Sequence, residues 1–364
     1  MPIITRISIY LLLTVGLLSE VQAQDPQFSM FYSVPLYINP AMAGGRHANR
    51  AIVHHRWQWP NQDARFTTTQ FSFDTYAAKY NSGFGVMAIQ DYAGGNKITS
   101  TYLSVAYAYE LAISKRQTLR FGLQGGLIQK ALGDLSIPSQ FDNNGQNNPG
   151  GGISNRILMP DIGAGVLFYD RNLYAGVNMS HLNRPNESFL NINNPLPVKL
   201  SVVGGYKIPI PLTGGGLKGR GLHGAPDYMY LTPTFTYKHQ SGDRNAYIGQ
   251  GADQVDLGLY LTRQWFIAGL WYRGIPFKGY KTDRETIYNN ESIVFLLGAS
   301  YNGLGFGYAF DLTISKQTLS RTGGAHEINL TYVFRTKRKK QVRALPCPDF
   351  EYDVLQRAGA GSGK

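Results

Sequence analysis

Apolar residues recur at every second position through segments of about ten residues, an alternation that restricts the chain to half-exposed β-strands. In one segment Leu304, Phe306, Tyr308, Phe310 and Leu312 share a face, while Gly305, Gly307, Ala309 and Asp311 share the other. The same pattern sets Leu119, Phe121, Leu123 and Leu127 against Arg120, Gly122, Gln124 and Gly126. It returns with Val255, Leu257, Leu259 and Leu261 against Asp256, Gly258, Tyr260 and Thr262. A soluble β-sandwich or bladed fold would also alternate, but its wet face would carry Lys and Glu. Here the second face is mostly Gly, Ser, Asn and Thr, which suits a lumen or a plug contact. The first face is apolar over about the length that a tilted strand needs to cross a bilayer. The expected fold is all-β, a transmembrane antiparallel β-barrel.

Candidate strands fall at residues 51–59, 66–76, 82–91, 99–112, 117–130, 159–169 and 171–180, then 198–209, 227–238, 253–262, 265–273, 291–301, 303–312 and 325–335. That makes about 14 strands, and an even count puts both chain termini on the periplasmic side. Connection lengths sort accordingly. Those at 113–116, around Asp170, at Arg263-Gln264 and at Asn302 are tight, whereas 131–158, 181–197, 239–252, 274–290 and 313–324 are long and fall at the opposite end. Residues 210–226 break the rule, being a long connection on the turn side.

The rest of the composition agrees. The chain holds 42 Gly, 24 Tyr and 18 Phe with only 16% charged residues, as a barrel with aromatic girdles and close strand packing requires. Residues 1–23 have the three parts of a secretory signal: Arg6, an apolar core at 7–18, and Val21-Gln22-Ala23 before a cleavage point at Gln24. That core is too short to span a hydrocarbon layer of about 30 Å as a helix. The expected organisation is a cleaved signal at 1–23, a plug or periplasmic segment at 24–50, a barrel at 51–335 and a basic, disordered periplasmic tail at 336–364. The single Cys347 excludes an intramolecular disulfide framework. The net charge of +12 is concentrated by a run that includes Lys337, Arg338, Lys339 and Lys340, and export argues against nucleic acid as its partner.

Several groups are candidate partner contacts. Ahead of the first strand, Phe28, Phe31, Tyr32, Tyr37, Asn39 and Pro40 lie in a segment whose prolines forbid a regular helix or central strand. It reads as a plug or partner-contact segment, or as a structural seal with its aromatics packed on the lumen wall at the periplasmic mouth. His181, Asn183 and Pro185 open an outer loop, and Trp271, Tyr272 and Arg273 end a strand on the same side. Aromatic and Arg side chains of this kind anchor interfaces, and equally make up an outer aromatic girdle. His326 and Glu327 enter the last strand and are placed to order outer loops by hydrogen bonds. The basic run Lys337–Lys340 suits an acidic periplasmic partner or anionic lipid headgroups.

Enzyme signals are poor, and no enzyme, metal or cofactor is expected. His54 and His55 are strand neighbours facing opposite ways. The Gly-rich stretch at 214–221 lacks the spacing of a phosphate-binding loop.

Gln24-Asp25-Pro26-Gln27-Phe28-Ser29-Met30-Phe31-Tyr32 and the following Pro35-Leu36-Tyr37-Ile38-Asn39-Pro40-Ala41-Met42-Ala43-Gly44 closely resemble the opening of the PorP/SprF family of the Bacteroidetes type IX secretion system. Residues 123–130, Asp134-Leu135, residues 174–185, Trp271-Tyr272-Arg273 and residues 323–330 continue the resemblance in register, over roughly 25–335. The tail at 336–364 departs from it, since members of the family stop close to the last strand. The resemblance implies an outer-membrane barrel of protein secretion and gliding motility. Its implied partners are a secreted adhesin, held through a C-terminal sorting domain, and periplasmic peptidoglycan-associated or motor-linked components, beside outer-membrane lipid. A porin-like solute channel and a structural barrel without cargo are the competing readings.

Overall fold

In a computed structural model the chain is described over residues 25–94, 98–133, 156–189, 193–212, 228–240, 254–281, 286–315 and 319–334. Fifteen strands form one sheet. They are β1 (Asn49–Gln58), β2 (Phe66–Ala77), β3 (Ser82–Ala93), β4 (Ile98–Ala112), β5 (Thr118–Leu132), β6 (Arg156–Tyr169), β7 (Leu173–Ser180) and β8 (Lys199–Tyr206). The remainder are β9 (Ile208–Pro211), β10 (Tyr228–Gln240), β11 (Gln254–Arg263), β12 (Phe266–Lys281), β13 (Thr286–Tyr301), β14 (Leu304–Thr313) and β15 (Ala325–Phe334). Each strand pairs antiparallel with its neighbours, β10 with β11 and β1 with β15, so the sheet closes. β8 and β9 pair with successive stretches of β10 and make one stave interrupted at Lys207, which gives a barrel of fourteen staves. Closure removes every free edge from the wall, as a membrane without water to satisfy backbone groups demands.

The distribution of burial is inverted relative to a soluble protein. On β14, Leu304, Phe306 and Tyr308 face outward and are exposed, while Gly305, Gly307 and Ala309 are buried. Around the wall Leu123 is 61% exposed and Val105 62%, yet Arg120, Glu327 and His54 are 0% exposed in the interior. An exposed apolar belt of this extent is stable only against lipid. The period-two pattern thus records a lipid face and a lumen face.

Tight turns close one end of the barrel. Asn302 and Gly303 both take positive φ, at 55° and 89°, as the two-residue turn between twisted strands requires. The start of β1 and the end of β15 lie at this same end, opposite the long connections.

Three expectations need correction. Residues 274–290 are not an open loop: β12 and β13 run on as a paired hairpin to Lys281 and Thr286, with register shifts at Arg273/Gly274 and Ile275/Gly279. Consequently Trp271, Tyr272 and Arg273 lie within β12 rather than at its end. The strand at 198–209 is broken at Lys207. The anomalous turn-side connection begins within β9, and its residues from 213 on, residues 134–155, the glycine run at 214–221 and the tail from 335, with Lys337, Arg338, Lys339 and Lys340, lie outside the described residues.

Candidate functional site

The lumen is occupied by residues 25–48, a strap that enters β1 from the turn end. Pro26, Pro35 and Pro40 prevent a long helix, so the strap is built of short pieces: a 3-10 turn Phe31–Ser33, a helical turn Pro35–Ile38 and a 3-10 turn Pro40–Met42. Its side chains pack with wall residues such as Met87, Ile89, Tyr260, Trp271 and Leu296 into one apolar interior. Met30 and Val34 are fully buried, and Phe28, Phe31, Leu36 and Ile38 nearly so. The Phe31 ring meets Trp271 edge-on at 4.7 Å, Tyr32 meets Tyr260 at 5.7 Å, and Phe28 meets both Tyr37 and His54 at 5.1 Å.

Around Pro40–Ala43 the strap lies flat on the wall because glycines face it there. A Cβ on Gly122 would overlap the backbone of Pro40 and Ala41, and one on Gly83 the carbonyl of Ala43. The glycines of the lumen face therefore form a seat for the strap. Asn39, fully buried, locks the seat: its Nδ2 donates to the carbonyls of Val166 and Val177 at 3.1 Å each, and its Oδ1 accepts from the Ala41 amide at 2.9 Å.

Three charged clusters tie the strap along its length. Near the loop end, Glu327 accepts from the amides of Ser29 and Met30, pairs with Arg56, and lies 3.1 Å from His54 Nε2. Arg56 and Arg273 both reach Asp311, at 3.0 and 3.2 Å, and Arg273 also holds Asp256 at 3.1 Å and donates to the Phe28 carbonyl. Near the turn end, Asp74 accepts from the Gly44 amide at 2.9 Å and from Arg50 at 2.8 Å. Beside it Arg120 donates to the Ala43 carbonyl, and Glu110 receives His47 at 2.7 Å and the Tyr76 hydroxyl at 2.6 Å. Breaking one member of such a buried pair leaves an uncompensated charge, so the clusters specify one position for the strap.

The third cluster sits at the loop end of the lumen. Asp25 faces Lys199 Nζ and His181 Nε2, both at 3.0 Å, and His181 Nδ1 faces Asp161 at 2.8 Å. Burial alone would push the Asp25 carboxyl up, but Lys199 and His181 outweigh it and hold the carboxyl far below the usual range. Burial likewise opposes the His181 cation, and the two carboxylates overcome it, raising the imidazole to about 9. The strap therefore begins at the loop end and descends, which corrects the expectation of a seal confined to the periplasmic mouth.

Of the other sequence candidates, Tyr32 and Tyr37 are half-buried in the strap and Pro40 is buried there. His181 belongs to the Asp25 cluster. Asn183 is exposed and staples its loop to β6 through the Ile162 amide and the Pro160 carbonyl. Pro185 is buried, and its carbonyl accepts from Leu196. Trp271 and Arg273 point into the lumen against the strap, so Trp271 is not part of an outer girdle, whereas Tyr272 faces outward. His326 faces outward to Tyr308, while Glu327 orders the strap rather than the outer loops. Arg56, Asp74, Glu110 and Asp311 were not singled out as site residues. Their signal was charge on the strand face opposite the exposed apolar residues, such as Val53, Phe71, Tyr109 and Phe306.

An antiparallel barrel with an apolar outer belt and a lumen filled by its own N-terminal strap defines the class of outer-membrane β-barrel proteins. The family model for the type IX secretion system membrane protein PorP/SprF matches residues 20–332, and the chain belongs to that family. It is thus an outer-membrane component of type IX secretion. No curated protein matches the chain. Solved structures of similar outline include CdiB from Acinetobacter baumannii, with 8% identity and a TM-score of 0.35 over 79% of this chain and 60% of that one. The translocator domain of autotransporter NalP from Neisseria meningitidis gives 11% identity and a TM-score of 0.31, covering 79% and 88%. A mutant of the Rh. blastica porin gives 6% and 0.30, covering 79% and 99%.

Proposed function

We propose that this protein is a non-enzymatic anchor: it holds a secreted adhesin through the adhesin's C-terminal sorting domain at the loop end and contacts periplasmic peptidoglycan-associated or motor-linked components at the turn end. The observation that carries the reading is the lumen, which is filled by a strap tied by three clusters of buried charges, two near the loop end and one near the turn end. A solute channel needs an open, polar lumen, and a packed strap with Phe31 against Trp271 opposes that use. Family membership in a secretion system supports cargo as the partner. The test is purification of the tagged protein from native outer membranes with identification of what accompanies it. Recovery of a large secreted protein bearing a C-terminal sorting domain supports the anchor. Recovery of lipid alone, together with steady ion conductance in planar bilayers, overturns it in favour of the channel.

A further inference from the structure

Lys199 is a wall cation without a wall anion. At the other two clusters the wall balances its own charges: Arg56 and Arg273 share Asp311, Arg273 holds Asp256, Arg50 holds Asp74, and Arg120 lies 3.7 Å from Glu110. To those clusters the strap adds backbone groups, the Ser29 hydroxyl and the His47 ring. At the loop end, among the described residues, the carboxylate within ion-pair distance of Lys199 is Asp25, which the strap itself brings in at 3.0 Å. Asp161 belongs to the wall, but it lies against the other nitrogen of His181. Without Asp25, Lys199 Nζ and His181 Nε2 converge on a place that an outside anion must fill, since a buried cation without a partner is costly.

The backbone is bent to make this pair. Leu173, Ala175, Val177 and Met179 face outward along β7, so the next residue of that parity, His181, would face lipid. His181 instead takes a positive φ of 58°, which turns its ring into the lumen, where it is 4% exposed, and leaves Leu182 facing outward. A left-handed residue other than glycine is strained, and strain of this kind gathers at binding sites.

A partly open cleft adjoins the pair. Its lining is apolar at Met87, Ile89 and Ile128 and neutral but polar at Ser104, Gln124 and Ser180. Its volume of about 30 Å³ holds only a water or two while Asp25 is in place. The part of the strap that covers it is short, because Phe28 packs on Tyr37 and His54, and the Ser29 and Met30 amides are held by Glu327. Residues 25–27 can therefore move while the rest of the strap stays seated.

We infer that Lys199 and His181 form a carboxylate-binding site at the loop end of the lumen, occupied by Asp25 until an incoming carboxylate displaces it. The Asp25 carboxylate shows which group the pair accepts, and the cleft shows what lies next to that group in the ligand, a small apolar substituent. A free carboxylic acid and the C-terminus of a polypeptide both offer this chemistry. The site stands on the geometry of this corner and does not depend on the anchor reading.

The experiment titrates the full-length protein in detergent, with ¹³C-labelled methionine methyl groups, against N-acetyl-leucine and, separately, N-acetyl-leucinamide, in which an amide replaces the carboxylate. The Met87 methyl signal, assigned by its loss in Met87→Leu, reports on the cleft. Asp25→Ala should bind the acid saturably and about tenfold more tightly than the wild type, in which the tethered carboxylate competes. The amide should leave the signal unmoved, and Lys199→Gln added to Asp25→Ala should abolish the response to the acid. Binding of a longer peptide that ends in a free leucine carboxylate assigns the ligand to polypeptide termini; its exclusion assigns the ligand to small acids. A heat-dependent shift in gel mobility checks that each variant is a folded barrel, and where one is not, the wild type at tenfold higher concentrations of acid and amide makes the same comparison. Equal responses to acid and amide overturn the inference, as does the absence of a saturable response to the acid.

Discussion

The Glu327 carboxylate accepts the backbone amide of Ser29 at 2.6 Å across a separation of 298 residues, so the strap before the first strand is held by the last one. The same carboxylate meets Arg56 on β1, across the seam that closes the barrel. One buried anion thus ties together the strap and both strands of the closure.

Loss of that anion should be costly. Glu327→Ala leaves the Arg56 guanidinium, 2% exposed, with Asp311 as its one carboxylate partner, and strands two amides in the interior. The expected destabilisation is about 3–5 kcal/mol. Unfolding in urea, followed by tryptophan fluorescence in detergent, measures it; a change below about 1 kcal/mol would mean that the strap does not depend on this contact.

The glycine seat makes a second prediction. Gly122→Val places a branched side chain where the backbone of Pro40 and Ala41 lies, and overpacking of this kind costs about 1–3 kcal/mol. The strap, rather than the hydrogen-bonded wall, should yield. Limited proteolysis should then cut within residues 25–48 of the variant while sparing the wild type, and planar bilayers should record new conductance.

At the loop end the Asp25 cluster predicts a pH profile. The His181 value is raised from 6.5 to about 9, so its contribution is complete below 6.5, declines above it and is lost as pH rises through about 9. Asp25 is depressed from 3.8, so its contribution is present above that value and lost as pH falls toward the folded one. Stability owed to this cluster should be flat from about pH 4 to 6.5 and fall on both sides. His181→Gln should remove the alkaline decline; a decline of the same size in that variant would assign it to another group.

Trp271 and Tyr272 are adjacent and do opposite things. Trp271 is 3% exposed and packs on Phe31, so Trp271→Ala should cost about 3–5 kcal/mol. Tyr272 faces outward, and Tyr272→Ala should cost far less. Comparable losses in thermal unfolding would contradict this assignment of faces.

The wall was legible in the sequence to within a few residues, because each strand has a lipid face and a lumen face and that difference is written at period two. Legibility ended where the alternation stopped. Beyond Arg273 the period-two pattern is lost at Gly274, Ile275 and Pro276, where register shifts interrupt the pairing, although the strands continue. Among the candidates, His54 and His55 were separated correctly, since backbone pleat alone decides which way strand neighbours point. Arg120, Asp256 and Asp311 were visible on the lumen face, but not what they face.

By itself, then, the sequence determined an outer-membrane barrel of about fourteen staves, the sidedness of its connections and the family to which it belongs, all properties of local pattern. Only the tertiary structure decided that residues 25–48 run through the lumen, starting at the loop end, and that Glu327, Asp74 and Asp25 hold them there. These contacts join residues that are far apart in the chain, and their partners become neighbours only once the sheet has closed on itself.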